Sequence, residues 1–300
     1  LSNEAITDYH LHLRGDDLGA RADEYFTAEN IERYLEGARA AGVTDLGCAE
    51  HMYRFTEALT VWRHPFWDEW AIDDIDQYVE VVKASPIKLG IEGDFIAGAE
   101  EKLEAMLGSR PFDYVVGSVH FLGDRSLDTE EYTIWDEARD PDDIWRRYFE
   151  TLADAARSGL FDILAHPDLV KVWGRAGRLP SVDPRKMYEP AIEAIAESDI
   201  AVEVSTAGLR KGVGEIYPSP AFMEMCVEAG ATFALSSDAH EPAQIGFRYE
   251  DGLEFLARHG VTEIATFEGR ERTSRPIGVL GTPNTQRKSI FGAGEAPGEQ

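Results

Sequence analysis

Short apolar runs alternate with helix-forming stretches along nearly the whole chain, and no other feature restricts the fold as much. Strands are expected near 5–10, 43–50, 87–95, 113–120, 161–167, 199–205 and 231–237, with a final short strand at 261–269. Helices are expected near 28–41, 71–84, 98–108, 140–158, 183–197, 219–229 and 247–259. Thr27 and Gly42 carry the start and stop signals of the first helix. Asp140-Pro141 pairs an N-cap with a first-turn proline, and Gly159 closes the helix that follows. The strands read as continuous apolar runs, which suits a parallel sheet covered on both faces. Seven βα units favour a closed or nearly closed barrel, a distorted (β/α)7 α/β fold, over an open doubly wound sheet. The glycine-rich phosphate fingerprint and the P-loop are both missing. The expected single domain spans 1–275; residues 276–300 lose periodicity and read as a flexible C-terminal extension.

With 43% hydrophobic residues the chain can build its own core, and its two cysteines, Cys48 and Cys226, are expected as buried thiols. A net charge of −27 opposes binding to DNA or RNA. It still admits a small anionic substrate, because bound divalent cations reverse the local potential. No run has the length of a signal peptide or a membrane span, so no membrane association and a cytoplasmic location are expected.

Six of the eight histidines follow these apolar runs: His10 and His12, His51, His120, His166 and His240. Glu92 and Asp238 occupy equivalent places. Imidazole and carboxylate are ligands for zinc, manganese or iron(II), and a βα barrel gathers its strand ends on one face. Residues i and i+2 of a strand point the same way, so His10 and His12 would address one ion. Two histidines fall outside the pattern. His64 reads as a loop residue and His259 as a helix-end residue. Trp62, Phe66, Trp67 and Trp70 form an aromatic cluster, read as loop packing ahead of a wall for a planar substrate.

The segments DYHLH, AEH, GIEGDFI, DYVVGSVHF, DILAHPDLVK, VEVSTAGLRKGVGEIYPSP and LSSDAHEP resemble the PHP (polymerase and histidinol phosphatase) superfamily, and within it the histidinol-phosphatases. The resemblance implies a distorted (β/α)7 barrel with two or three divalent metal ions. His10, His12, Glu92 and Asp238 would hold the first. Glu92 would bridge to a second, held also by His120 and His166. His51 and His240 would hold the third with a residue of the loop after His12. Many relatives have a histidine in that loop; this chain has none between His12 and His51, so Asp17 or its neighbour Asp16 must stand in.

Such a set suits phosphate monoester hydrolysis. Close cations neutralise a dianionic ester and lower the pKa of a water toward about 7, making a hydroxide that attacks phosphorus in line. Catalytic roles fall to Glu92, Asp238, His240 and Asp17. Arg210 is the first candidate for a phosphate clamp, since a guanidinium fork matches phosphate oxygens; a pair with Glu215 is the competing reading. Arg14 is the second candidate, and Lys171 and Trp173 are further cleft candidates. The resemblance implies that histidinol phosphate is hydrolysed to histidinol and phosphate in histidine synthesis. Competing readings are a PHP phosphoesterase on another small phosphate or nucleotide, an amidohydrolase-like enzyme, and a non-catalytic metal-binding barrel.

Overall fold

The computed structural model describes residues 4–137, 140–175 and 177–280. Four parallel strands come first: β1 (Thr7–Asp8), β2 (Asp45–Cys48), β3 (Lys88–Asp94) and β4 (Tyr114–Ser118). A small antiparallel hairpin, β5 (Phe121–Leu122) and β6 (Arg125–Ser126), follows. The parallel set resumes with β7 (Ile163–Leu164), β8 (Ala201–Ser205) and β9 (Thr232–Ser236), in the order β1-β2-β3-β4-β7-β8-β9. Past the ends of β1 and β9, Leu11 bridges Ala239 in parallel. There His12 N donates to the Ala239 carbonyl over 2.7 Å, and Ala239 N to the His10 carbonyl over 3.2 Å. These bonds shut the ring at the end where the expected ligands lie.

The helices are α1 (Ala22–Tyr25), α2 (Ala28–Ala41), α3 (Pro65–Trp70), α4 (Ile75–Lys83), α5 (Glu100–Leu107), α6 (Pro141–Arg157), α7 (Arg185–Glu197), α8 (Pro220–Glu228) and α9 (Tyr249–Arg258). Thr27 accepts from Asn30 N and Gly42 takes φ 76°, as the start and stop signals of α2 require. Asp140 caps α6 by accepting from Asp142 N. The helix expected from 71 instead starts at Ile75, capped by Asp74. Ile72 N and Asp73 N both donate to the Arg54 carbonyl, which holds that stretch out of helix. Among the described residues no helix is long and apolar enough to cross a membrane.

The barrel interior is filled with side chains. The Tyr114 ring lies so close to β2 and β3 that a Cβ on Gly47 or Gly90 would come within 2.3 Å of it. Only glycine leaves room for that ring.

The expected last strand, β10 (Glu263–Glu268), lies outside the ring and pairs antiparallel with an unanticipated β11 (Glu271–Pro276). This hairpin covers the N-terminal ends of the strands. Phe267 packs on Tyr9 and Tyr114 with ring centroids 6.1 and 6.2 Å away. Lys88 Nζ donates to the Phe267 carbonyl over 2.6 Å, and Arg270 N to the Asp113 carbonyl over 2.8 Å. The expected boundary at 275 therefore falls too early. Ile277 N bonds the Thr262 carbonyl (3.0 Å) and Gly278 N the Ala5 carbonyl (2.8 Å), tying both to the body. The remainder of the expected extension, 281–300, lies outside the described residues.

Candidate metal centre

Eight side chains meet at the C-terminal end of the barrel, and Glu92 is their hub. Its Oε2 lies 3.3 Å from His10 Nε2 and 3.7 Å from His12 Nε2, and is in close contact with His51 Nδ1. Its Oε1 lies 3.4 Å from His120 Nε2 and 3.3 Å from His166 Nε2. Asp238 Oδ1 completes the group, 3.3 Å from His12 Nε2, 3.8 Å from His10 Nε2 and 3.6 Å from His240 Nδ1. Three subsets have donor atoms within 4.8 Å of one another: His10, His12 and Asp238; His10, Glu92 and His166; and His12, His51 and His240.

The donor set fits divalent cations. His10 Nε2, His12 Nε2, His51 Nδ1 and Glu92 Oε2 are all buried without a hydrogen-bond partner. Such orphaned groups are costly unless something satisfies them, and cations shared among them would serve all four. Burial pushes the Glu92 carboxyl upward, but the imidazoles of His51, His10 and His120 outweigh it and hold the group well below the usual carboxylate range. Burial opposes ionisation of Asp238 too, and His10, His12 and His240 likewise reverse it. Burial, reinforced by neighbouring His12, lowers His240 to about 4.

A ring of buried acids stands behind the histidines. His10 Nδ1 donates to Glu203 Oε1 over 2.8 Å. The same carboxylate accepts from Ser236 Oγ and from His166 N, each at 2.6 Å. His120 Nδ1 donates to Asp94 Oδ1 over 2.6 Å. Glu50 approaches His12 Nδ1 at 3.5 Å while accepting from Leu13 N, Arg14 N and Arg54. The Glu203 and Asp94 bonds fix the tautomers of His10 and His120 and turn their Nε2 atoms to the centre. Sequence reasoning missed all three acids, although Glu203 and Asp94 left a trace. Glu203 interrupts the apolar run of β8, and Asp94 stands two residues after Glu92 on the same face of β3.

Two members sit in strained backbone, His166 at φ 23° and Asp238 at φ 49°. Non-glycine residues in this region persist where the surroundings enforce it. At Asp238 the enforcing group is Arg210, whose Nη2 donates to the carbonyls of Ser237 (2.9 Å) and Asp238 (2.8 Å).

Several expected roles change. The Asp17 carboxylate turns away onto Gly19 N at 2.7 Å in an exposed turn, so it supplies neither a ligand nor a catalytic group here. Its neighbour Asp16 is the acid beside the centre, 3.5 Å from His240 Nε2 and held by Arg54 Nη2 at 2.7 Å. Arg14 is fully buried, paired with Asp73 at 2.8 Å and lying over the Trp70 and Tyr25 rings, so it is no substrate contact. The bidentate fork expected of Arg210 is half used by the carbonyls above, while its Nη1 is buried without a partner. Glu215 pairs with Lys171 at 2.8 Å, not with Arg210, and this removes Lys171 from the cleft.

A cavity of about 370 Å³ opens above the centre, lined by His51, His120, His166, Asp238 and His240. Tyr53, Phe66, Trp70, Phe121 and Trp173 form its apolar walls. The aromatic cluster thus splits, because Trp67 is wholly in the core. His64 caps α3 by accepting from Phe66 N, and His259 donates to the Phe255 carbonyl at the end of α9, both structural as expected.

The family model described as "PHP domain" matches residues 24–207. The chain is 34% identical over 277 residues to "Probable histidinol-phosphatase" of Deinococcus radiodurans, covering 89% of this chain and 98% of that protein. It is 25% identical to a Schizosaccharomyces pombe protein of the same name, over 64% of this chain and 69% of that one. The fold matches a Lactococcus lactis crystal structure of histidinol phosphate phosphatase complexed with zinc, L-histidinol and phosphate. The TM-score there is 0.66 at 18% identity, over 89% of this chain and 98% of that one. By the extent of the family match and of the Deinococcus likeness, this chain belongs to the PHP domain family.

Proposed function

We propose that the chain is a metal-dependent phosphomonoesterase that hydrolyses histidinol phosphate to histidinol and phosphate. The observation that carries this is the convergence of five histidines on the two oxygens of Glu92 at the floor of a cavity for a small molecule. The relatives over most of the chain bear histidinol-phosphatase names, and the matching Lactococcus fold is described with zinc, L-histidinol and phosphate.

Two or three divalent ions, zinc, manganese or iron, suit this donor set. His10, His12, Glu92 and Asp238 would hold the first, and Glu92, His120 and His166 the second. His51, His240 and Asp16 would hold the third. Such ions, when bound, neutralise phosphate oxygens and make water acidic enough to act as a nucleophile near neutral pH. The side chains do the remainder. Glu203 and Asp94 orient the imidazoles of His10 and His120, Glu50 lies beside His12, and Arg210 fixes the turn that aims Asp238. Arg210 Nη1 is buried and Arg210 is not part of the cavity lining, so its role is to hold that turn; Lys211 is a cationic side chain that does line the cavity. The aromatic walls displace water around the leaving group and suit a planar imidazole. A net charge of −27 opposes the binding of a nucleic acid over the surface as a whole.

The test is phosphate release by the metal-loaded enzyme across a panel of histidinol phosphate, sugar phosphates and nucleotides. Histidinol phosphate is expected to exceed the others by at least about 100-fold in kcat/KM. Similar turnover of all of them would reject the substrate assignment.

A further inference from the structure

The cavity holds one acid that the centre leaves unused. Three aspartates line it, and two are committed: Asp238 to the histidines and Asp16 to Arg54 and His240. The third, Asp128, accepts at Oδ1 from Ser126 Oγ over 3.1 Å. Its Oδ2 has no hydrogen bond, and no cationic side chain pairs with it, among the described residues.

Asp128 is nonetheless held firmly. The preceding carbonyl, of Leu127, accepts from two indoles, Trp173 Nε1 at 2.7 Å and Trp135 Nε1 at 3.0 Å. Leu127 N donates to the His120 carbonyl over 2.9 Å, which ties this loop directly to a member of the metal centre. The Ser126 hydroxyl also accepts from Asp128 N (3.4 Å) and Thr129 N (3.2 Å). A half-buried carboxylate fixed on both sides, with one oxygen open to an apolar-walled cavity, is preorganised to receive a cation.

We propose that Asp128 anchors a protonated amine on the leaving group, making the enzyme selective for phosphate monoesters of amino alcohols. This rests on the phosphomonoesterase reading above and adds the feature that separates such esters from other small phosphates. The amine of a 1,2-amino alcohol lies one carbon from the ester carbon, so its anchor must stand beside the metal floor. The loop bonded to His120 stands there. The aromatic walls alone would accept any planar leaving group, whereas a charged hydrogen bond rejects one that lacks the amine.

The test compares zinc-loaded wild type with Asp128→Asn, which keeps an acceptor for Ser126, on histidinol phosphate and on its deamino analogue, 3-(imidazol-4-yl)propyl phosphate. Wild type is expected to favour the amine. The variant is expected to lose roughly 10- to 100-fold in kcat/KM on histidinol phosphate, mostly through KM, with the analogue unchanged within about twofold. Equal losses on both substrates, or no loss on histidinol phosphate, would overturn the anchor while the function stands. Wild type that releases phosphate from neither overturns the proposed function and the anchor together. A second readout needs no variant: histidinol should protect the zinc-loaded enzyme from thermal unfolding at lower concentration than 3-(imidazol-4-yl)propan-1-ol. Equal protection counts against the anchor.

Discussion

His10 donates through Nδ1 to Glu203 Oε1, and neither side chain is more than 1% exposed. The bond leaves the Nε2 lone pair facing Glu92 and Asp238. Because Glu203 also accepts from Ser236 and His166 N, one carboxylate braces β1, β8, β9 and the turn after β7. Glu203→Gln keeps the shape but weakens that orientation. Metal affinity is expected to fall about 10- to 100-fold, measured by competition with a chromophoric chelator. Affinity within twofold of wild type would leave Glu203 a purely packing role.

His10→Ala, His120→Ala and Asp238→Asn are each expected to lose most phosphate release, at least about 100-fold, with circular dichroism unchanged. Full activity in any one variant would remove that residue from the mechanism.

Asp16 and Asp17 can be separated directly. Asp16→Asn is expected to lower the number of ions retained after dialysis and to reduce activity about 10-fold or more. Asp17→Asn is expected to leave both within about twofold, since that carboxylate faces Gly19 N. The reverse outcome would return the third ligand to Asp17.

Arg14→Ala strands Asp73 without its cation inside the fold. Breaking a buried pair in this way costs about 3–5 kcal/mol, to be read from urea unfolding. The KM of the folded fraction is expected to stay within about twofold. A large KM change with little loss of stability would restore Arg14 as a substrate contact.

Burial pushes the Asp8 carboxyl from 3.8 up to about 6, against the donors of Ser237 and Gly246. The folded value exceeds the unfolded one, so the neutral acid favours the fold below about pH 4 and that contribution is lost as pH rises through about 6. Two pKa units correspond to roughly 3 kcal/mol. In metal-free protein, the stability of wild type relative to Asp8→Asn is expected to fall between pH 4 and pH 7. A flat or rising difference would contradict it.

The barrel and the eight side chains gathered at its mouth could be read from the sequence because one pattern encodes both. Apolar runs mark the strands, and the polar residue ending each run faces the common mouth. The acids behind the histidines escaped because Glu203 and Glu50 look like isolated charges until the strands are wound together. Arg14 was misread for a related reason. It stands two residues after His12, where a continuing strand would give it the same facing, but the chain leaves the ring there and Arg14 packs among Tyr25, Trp70 and Asp73. The strand Glu271–Pro276 left no apolar trace, because ERTSRP serves chiefly to pin the ends of the barrel strands. Arg272 reaches Asp199 and Arg275 reaches Asp45 for that purpose.

That hairpin also backs the packed interior of the barrel. With Phe267, Tyr9 and Tyr114 packed together at the far end of the barrel, the described residues offer no passage along the barrel axis, so ester and products would share the cavity above the centre. On the proposed chemistry, the alcohol would occupy the outer, aromatic part of the cavity and inorganic phosphate the inner end beside the clustered histidines. Phosphate retained there would occupy the place that the next ester needs.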